Sequence, residues 1–148
     1  MSYLAAAEKT LVLASNPPDS RWRGFASNLD GTELTGTNSG YVWSSFDSGA
    51  TWSAVSNIGL DTGLRDIAMS SDGTKRVVVS TNSPYIWTSI DSGFTWVPHS
   101  PSSTHIPNTE IHKCAIDSTG QYIWVGYGDS IYRSTDWGRN FGSVRMGT

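Results

Sequence analysis

From Trp22 to Val144 the chain runs in short stretches in which apolar or β-branched residues alternate with polar ones. Each stretch is closed by a cluster of Gly, Asn, Asp, Ser or Pro. Alternation with a period of two marks strands, and such clusters mark the turns between them. The first four stretches predict strands over Trp22–Ser27, Glu33–Thr37, Tyr41–Ser45 and Thr51–Val55, with a tight hairpin at Leu29-Asp30-Gly31-Thr32 and a turn at Asn38-Ser39-Gly40. Asp-Gly between two such runs is a strong hairpin signal. The same grammar returns over Asp66–Ser70, Arg76–Thr81, Tyr85–Ser89 and Thr95–Pro98, turning at Asp72-Gly73-Thr74 and Asn82-Ser83-Pro84. A third set covers Lys113–Ile116, Tyr122–Gly126, Ser130–Ser134 and Asn140–Val144, turning at Ser118-Thr119-Gly120 and Gly128-Asp129. One more short strand, Thr10–Ala14, precedes them and ends at Asn16-Pro17-Pro18-Asp19, where prolines remove ladder donors. An amphipathic helix over Tyr3–Lys9 also fits the pattern there.

The turn between the third and fourth strands of each set carries the most specific pattern. Ser45-Phe46-Asp47-Ser48-Gly49-Ala50-Thr51-Trp52 returns as Ser89-Ile90-Asp91-Ser92-Gly93-Phe94-Thr95-Trp96, with a worn copy at Ser134-Thr135-Asp136-Trp137-Gly138-Arg139-Asn140-Phe141. Asp47, Asp91 and Asp136 lie 44 and then 45 residues apart, and a fixed period of that size signals a repeat architecture. The residue types suit a turn. The aspartate accepts bonds from backbone N–H groups just ahead, and the glycine two positions later takes a positive φ. Threonine and tryptophan then open the next strand, with the indole placed to pack under the turn. The third copy has Asn140 for threonine and Phe141 for tryptophan, so a looser or differently packed turn is expected there.

The pattern Ser-x-Asp-x-Gly-x-Thr-Trp resembles the BNR, or Asp-box, repeat family over roughly residues 21–144. The matching positions are Ser45, Asp47, Gly49, Thr51 and Trp52; Ser89, Asp91, Gly93, Thr95 and Trp96; and Ser134, Asp136, Gly138 and Phe141. The resemblance implies that these turns are structural and lie away from any active site. Its members include sialidases and other glycosidases, sortilin-type receptors and a photosystem II assembly factor, so it selects no ligand.

Four-stranded antiparallel units at this period are blades of a β-propeller. The expected fold is therefore all-β, with blades over residues 21–56, 57–99 and 100–148 behind an N-terminal segment 1–20. Val42, Ile86 and Ile131, then Trp43, Trp87 and Tyr132, then Trp52, Trp96 and Phe141 should fill the layers between blades. Propellers have 4–8 blades, so three form an open arc with two exposed blade faces. Either two chains close a six-bladed ring as a homodimer, or the chain belongs to a longer propeller. Thr10–Ser15 aligns with Thr51–Ser56, the fourth strand of a blade, and is a possible ring-closing strand.

Composition agrees with many short strands: 37% of the 148 residues are hydrophobic, with seven Trp and six Tyr, and 15 are Gly. A formal net charge of −3 without a basic stripe argues against nucleic acid as partner. The single Cys114 rules out an internal disulfide and leaves the compartment open. No apolar run approaches the roughly 20 residues needed to span a bilayer. Ser2–Ala7 lacks a basic start and is cut off by Glu8-Lys9, so no secretory signal is evident. No cofactor motif is present.

Catalytic chemistry finds little support. Sialidase-like retaining hydrolysis needs a nucleophile, an acid/base carboxyl and an arginine cluster. The Arg-Ile-Pro motif of that family is absent, Arg21-Trp22-Arg23 does not match it, and Glu8, Glu33 and Glu110 have no catalytic context. A stretch with His99, His105, His112, Glu110 and Cys114 could suggest a metal, but the spacing fits no zinc pattern, and solvated loop histidines are expected. The better candidate is the rim opposite the acidic turns, where Asn38, Tyr41, Asn82, Tyr85, Tyr127 and Asp129 offer amide, aromatic and carboxylate groups. The sequence thus points to a non-catalytic binding or scaffold module for carbohydrate or protein. The alternatives are a fragment of a sialidase-like glycosidase, or an engineered half-propeller without a ligand.

Overall fold

A computed structural model describes residues 21–38, 40–55, 58, 63–82, 84–99 and 110–144. Among these residues, twelve strands form three four-stranded antiparallel sheets, each a simple meander. Blade one is β1 (Gly24–Ser27), β2 (Leu34–Thr37), β3 (Val42–Ser45) and β4 (Ser53–Ala54). Blade two is β5 (Leu64–Met69), β6 (Arg76–Ser80), β7 (Ile86–Ser89) and β8 (Val97–His99). Blade three is β9 (Lys113–Ile116), β10 (Ile123–Tyr127), β11 (Ser130–Ser134) and β12 (Gly142–Val144). The expected strands are present within a residue or two; β5 starts two residues earlier than expected, at Leu64. A bulge between Leu64 and Asp66 interrupts its alternation there. The expected strand at Thr10–Ala14 lies outside the described residues, as does His105.

The sheets stack face to face, with β5 packed between β1 and β9 at their common inner edge. Register defines the faces. Phe25, Gly36, Trp43 and Ala54 share one row of blade one; Ile67, Val78, Trp87 and Pro98 are their counterparts in blade two, and Cys114, Val125, Tyr132 and Ser143 in blade three. We call this the leading face of each blade and the opposite one the trailing face. The trailing face of blade one meets the leading face of blade two around Val42, Ile58, Leu64, Ile67, Val78 and Trp96. The trailing face of blade two meets the leading face of blade three around Val77, Val79, Ile86, Ile123, Val125 and Phe141. These side chains are almost fully buried, which is why blade strands are apolar on both faces rather than one.

Ile131 departs from this expectation. It occupies the row of Val42 and Ile86 but is 37% exposed, because it lies on the trailing face of blade three, which no described element covers. The leading face of blade one is likewise uncovered. There Trp22, Phe25 and Trp52 cluster with ring centroids 4.7 to 6.2 Å apart, and Phe25 remains 56% exposed. Gly36 makes room for them, since a Cβ on it would lie 2.8 Å from the Phe25 ring and 2.9 Å from Trp22.

Two polar devices join the blades. The Leu29 N–H donates to the Ser71 carbonyl (2.9 Å), and the Ser71 N–H donates to the Ser118 carbonyl (3.0 Å), tying the first hairpin turns of successive blades. Arg76 is wholly buried and reaches from blade two into blade one. Its guanidinium donates to Ser44 Oγ (3.0 Å), to Glu33 and to the Gly73 carbonyl (3.0 Å), and lies 5.6 Å from the centre of the Phe46 ring. Burial lowers the Arg76 pKa, and the Glu33 carboxylate opposes that shift.

Candidate functional site

The acidic turns between third and fourth strands share one hydrogen-bond scheme. Ser45 Oγ donates to Asp47 Oδ1 (2.8 Å) and accepts from the Gly49 N–H (2.8 Å). The same oxygen accepts from the Thr51 N–H (2.8 Å), and Asp47 Oδ2 accepts from the Thr51 hydroxyl (2.5 Å). Ser89, Asp91, Gly93 and Thr95 repeat this at 2.6 to 2.9 Å. The third turn is not looser. Ser134 and Gly138 keep their places, and the Asn140 N–H (2.9 Å) and carboxamide (2.7 Å) donate to Asp136. A carboxamide supplies the donor that a threonine hydroxyl would, so the substitution preserves the geometry. What is lost is the indole bond: Trp52 Nε1 donates to the Gly49 carbonyl (3.1 Å) and Trp96 Nε1 to Gly93 (2.9 Å), whereas Phe141 has no N–H. All three aromatic rings are buried.

Each carboxylate is held in its charged form. The Thr51 hydroxyl, then its N–H and the Ser45 hydroxyl, lower the Asp47 pKa. At Asp91 and Asp136 partial burial pushes upward. The bonds from Thr95 and Ser89, and from Asn140 and Ser134, outweigh it and bring both below the ordinary value. A carboxylate spent in this way is a poor proton donor at neutral pH.

A second set of acidic turns joins first and second strands. Asp30 accepts from the Thr32 hydroxyl (2.6 Å) and N–H (3.0 Å), and Asp72 from Ser70 (2.6 Å) and Thr74 (2.7 and 3.1 Å). The Ser70 and Thr74 hydroxyls pull the Asp72 pKa down to about 2. Asp117 stands at the register of Asn28 and Ser70, and all three side chains cap the N–H five residues on. In a meander both turn sets fall at one end of the sheets and the remaining loops at the other.

The predicted rim residues lie in or beside those opposite loops. Asn38 is only 4% exposed, and its side-chain oxygen accepts from the Gly40 (3.1 Å) and Tyr41 (2.8 Å) N–H groups. Tyr41 is exposed and stands edge-on to Trp43 at 6.3 Å. Tyr85 packs partly against the core between blades two and three. Asn82 is exposed with its side chain near Gly63, and Tyr127 and Asp129 are exposed at the last loop.

Of the two described histidines, His99 does not behave as a solvated loop residue. His99 belongs to β8, is partly buried, and shares a 2.7 Å hydrogen bond with the Thr88 hydroxyl. Burial lowers its pKa and Asp136 opposes the shift. It sits there because Val97-Pro98-His99 pairs with β7, which sets His99 opposite Ile86. His112 is exposed and 3.2 Å from Glu110. Cys114 packs against the blade interface, where burial pushes its thiol well above the usual range.

No protein-family model matches the chain, and no curated protein sequence does. Solved structures do match. A GH74 enzyme of Niastella koreensis superposes with a TM-score of 0.61 at 21% identity, over 82% of this chain and 17% of that one. YCF48 bound to a D1 peptide gives 0.67 at 16% identity, over 89% and 45%. The nidogen/laminin complex gives 0.67 at 12% identity, over 85% and 48%. At these identities the likeness establishes a β-propeller-type fold. The chain spans less than half the length of each of the three.

Proposed function

We propose that this chain is a non-catalytic β-propeller module of the Asp-box type that closes its ring with a second copy of itself. Its ligand is a protein or carbohydrate bound at the rim opposite the acidic turns. One observation carries the assembly: the chain contains its own blade interface twice and presents the two halves of a third. The uncovered leading face of blade one offers Trp22, Phe25, Leu34 and Trp43. The uncovered trailing face of blade three offers Trp124, Ile131 and Val144, with Lys113 and Arg133 at its edge. The Leu29 carbonyl and the Ser118 N–H, which would extend the turn-to-turn bonds, have no counterpart among the described residues. Two copies related by a two-fold axis satisfy both ends at once, and a closed pair exposes neither apolar face.

The non-catalytic part rests on how the carboxylates are used. Six aspartates serve as turn braces, and Glu33 is paired with Arg76. The neighbours named as complexes, one with a peptide and one with laminin, make protein the better-supported ligand class.

Light scattering tests the assembly. A species of about twice 16.0 kDa is expected, reduced to a monomer by Phe25→Glu. A monodisperse monomer of the unaltered chain at micromolar concentration overturns it. Hydrolysis of a fluorogenic sialoside or other glycoside would overturn the non-catalytic reading.

A further inference from the structure

The two internal blade interfaces open onto grooves beside the acidic turns, and the grooves differ. Between blades one and two the cavity is about 210 Å³, and Phe46 and Phe94 stack across it at 5.7 Å, 8° from parallel. Between blades two and three it is about 400 Å³, floored by Ile90, Val97 and Trp137 and edged by Lys75, His99 and Arg139. Equivalent positions in the register and the turn repeat show what changed. Arg139 stands where Phe94 stands, His99 where Val55 stands, and Lys75 where Glu33 stands. A carboxylate and two apolar side chains have given way to three basic ones.

The second groove also lacks the bolt that fills the first. Arg76 pairs with Glu33 across the first interface, whereas its counterpart across the second is the aliphatic Ile123, so among the described residues Lys75 has no ion-pair partner there. Its ammonium donates to the Thr74 hydroxyl at 2.9 Å. The acids nearest these basic groups are committed elsewhere. Asp136 braces its own turn beside His99 and Arg139, and Asp72, beside Lys75, is held by Ser70 and Thr74.

Two glycines of blade three shape the wall. A Cβ on Gly120 would lie 2.3 Å from the Lys75 stem, and one on Gly138 would lie 2.7 Å from Thr88 Cγ2, so their absence seats Lys75 and the Thr88–His99 pair. Trp137 is the other departure. All three turns place this position in the left-handed region, at φ of 56°, 58° and 58°, and the other two use Ser48 and Ser92. A bulky residue there is strained, and Trp137 is 41% exposed, so the turn itself gives no reason for an indole.

We propose that the groove between blades two and three binds a carboxylate carried on an aromatic or aliphatic body. The body lies on Trp137, Ile90 and Val97, and the carboxylate reaches Lys75, Arg139 and His99. This site is separate from the rim proposed above, and its test does not depend on assembly. The chemistry is shared by a free organic acid and by an acidic residue of a peptide beside an apolar one.

The test is a titration of the intact chain, followed by amide chemical shifts and calorimetry. The probes are phenylacetate, its neutral amide phenylacetamide, and the capped dipeptide Ac-Phe-Asp-NH2. The acid is expected to shift residues around Thr88, Val97 and Arg139, and the amide to bind about tenfold more weakly for want of charge-assisted bonds. Lys75→Gln and Arg139→Gln should each weaken the acid several-fold, as should raising salt from about 50 to about 500 mM. Trp137→Ser, which copies the other two turns and should fold normally, should weaken acid and amide alike. Tighter binding of the dipeptide than of phenylacetate assigns the site to a peptide, and the reverse assigns it to a free acid. Equal binding of acid and amide, unchanged binding in Lys75→Gln and Arg139→Gln, or no binding of either acid overturns the proposal.

Discussion

Removing Glu33 should destabilise the protein far more than removing Arg76, although they are partners. Glu33→Ala leaves a fully buried guanidinium without the carboxylate it pairs with, the more distant Asp91 remaining. Breaking a buried pair from one side typically costs 3–5 kcal/mol. Two facts reduce this here. Arg76 keeps its bonds to Ser44 and the Gly73 carbonyl and its place near Phe46, and the Glu33 side chain is 23% exposed, so water can follow it out. The expected cost is about 2–3 kcal/mol. Arg76→Leu instead installs the kind of side chain that Leu34 and Ile123 provide at the same register, and it frees a carboxylate that can hydrate. Its cost should stay within about 1 kcal/mol. In the Arg76→Leu background, Glu33→Ala should then cost under about 0.5 kcal/mol, giving a coupling energy of about 2 kcal/mol. Urea unfolding at one fixed protein concentration measures all four species, because any assembly makes stability depend on concentration. The single Glu33→Ala midpoint should fall by about 1 M, with unchanged slope. An equal cost for Glu33→Ala in both backgrounds would refute the reasoning, since it would show that the carboxylate does not act through the guanidinium.

Asn140→Thr should be neutral within about 0.5 kcal/mol, while Asn140→Ala should cost about 1 kcal/mol by removing a donor to Asp136; thermal melts decide. Gly31 and Gly138 both have positive φ, but a Cβ on Gly31 would meet open space and one on Gly138 would strike Thr88. Gly31→Ala should therefore cost about 1 kcal/mol and Gly138→Ala about 2 kcal/mol or more, read from urea midpoints. Because burial sets His99 below its ordinary 6.5, with Asp136 partly opposing, the unfolded chain binds more protons there. Stability should fall as pH drops from about 6.5 through the lowered folded value, and His99→Gln should flatten that slope. Asp72 acts in a separate window: its contribution is complete above 3.8 and lost as pH falls towards about 2, so Asp72→Asn should lessen the acid sensitivity only there.

Much of the architecture was readable because it is written locally. The twelve strands and their turns followed from period-two alternation punctuated by Asp-Gly and the repeated octapeptide, since a turn's geometry depends on residues within a few positions of one another. The number of blades followed from the 44- and 45-residue spacing of the acidic turns. At the third turn the expected loosening does not occur, because the Asn140 carboxamide donates as a threonine hydroxyl does, and only the indole bond is lost. The pairing of one face with another was not written locally. Ile131 reads like Val42 and Ile86 but is exposed, because burial depends on whether a blade stands opposite. Arg76 and Glu33 lie 43 residues apart in the chain, and nothing beside either announces the other. His99 lies in a polar stretch of sequence, and only pairing with β7 turns it towards Thr88 and Gly138. The sequence by itself determined the strands, the braced turns and the repeat, all short-range consequences of backbone preference and hydrogen bonding. Only the tertiary structure decided which faces are covered and which charges lie between blades, because desolvation and charge pairing depend on neighbours in space rather than along the chain.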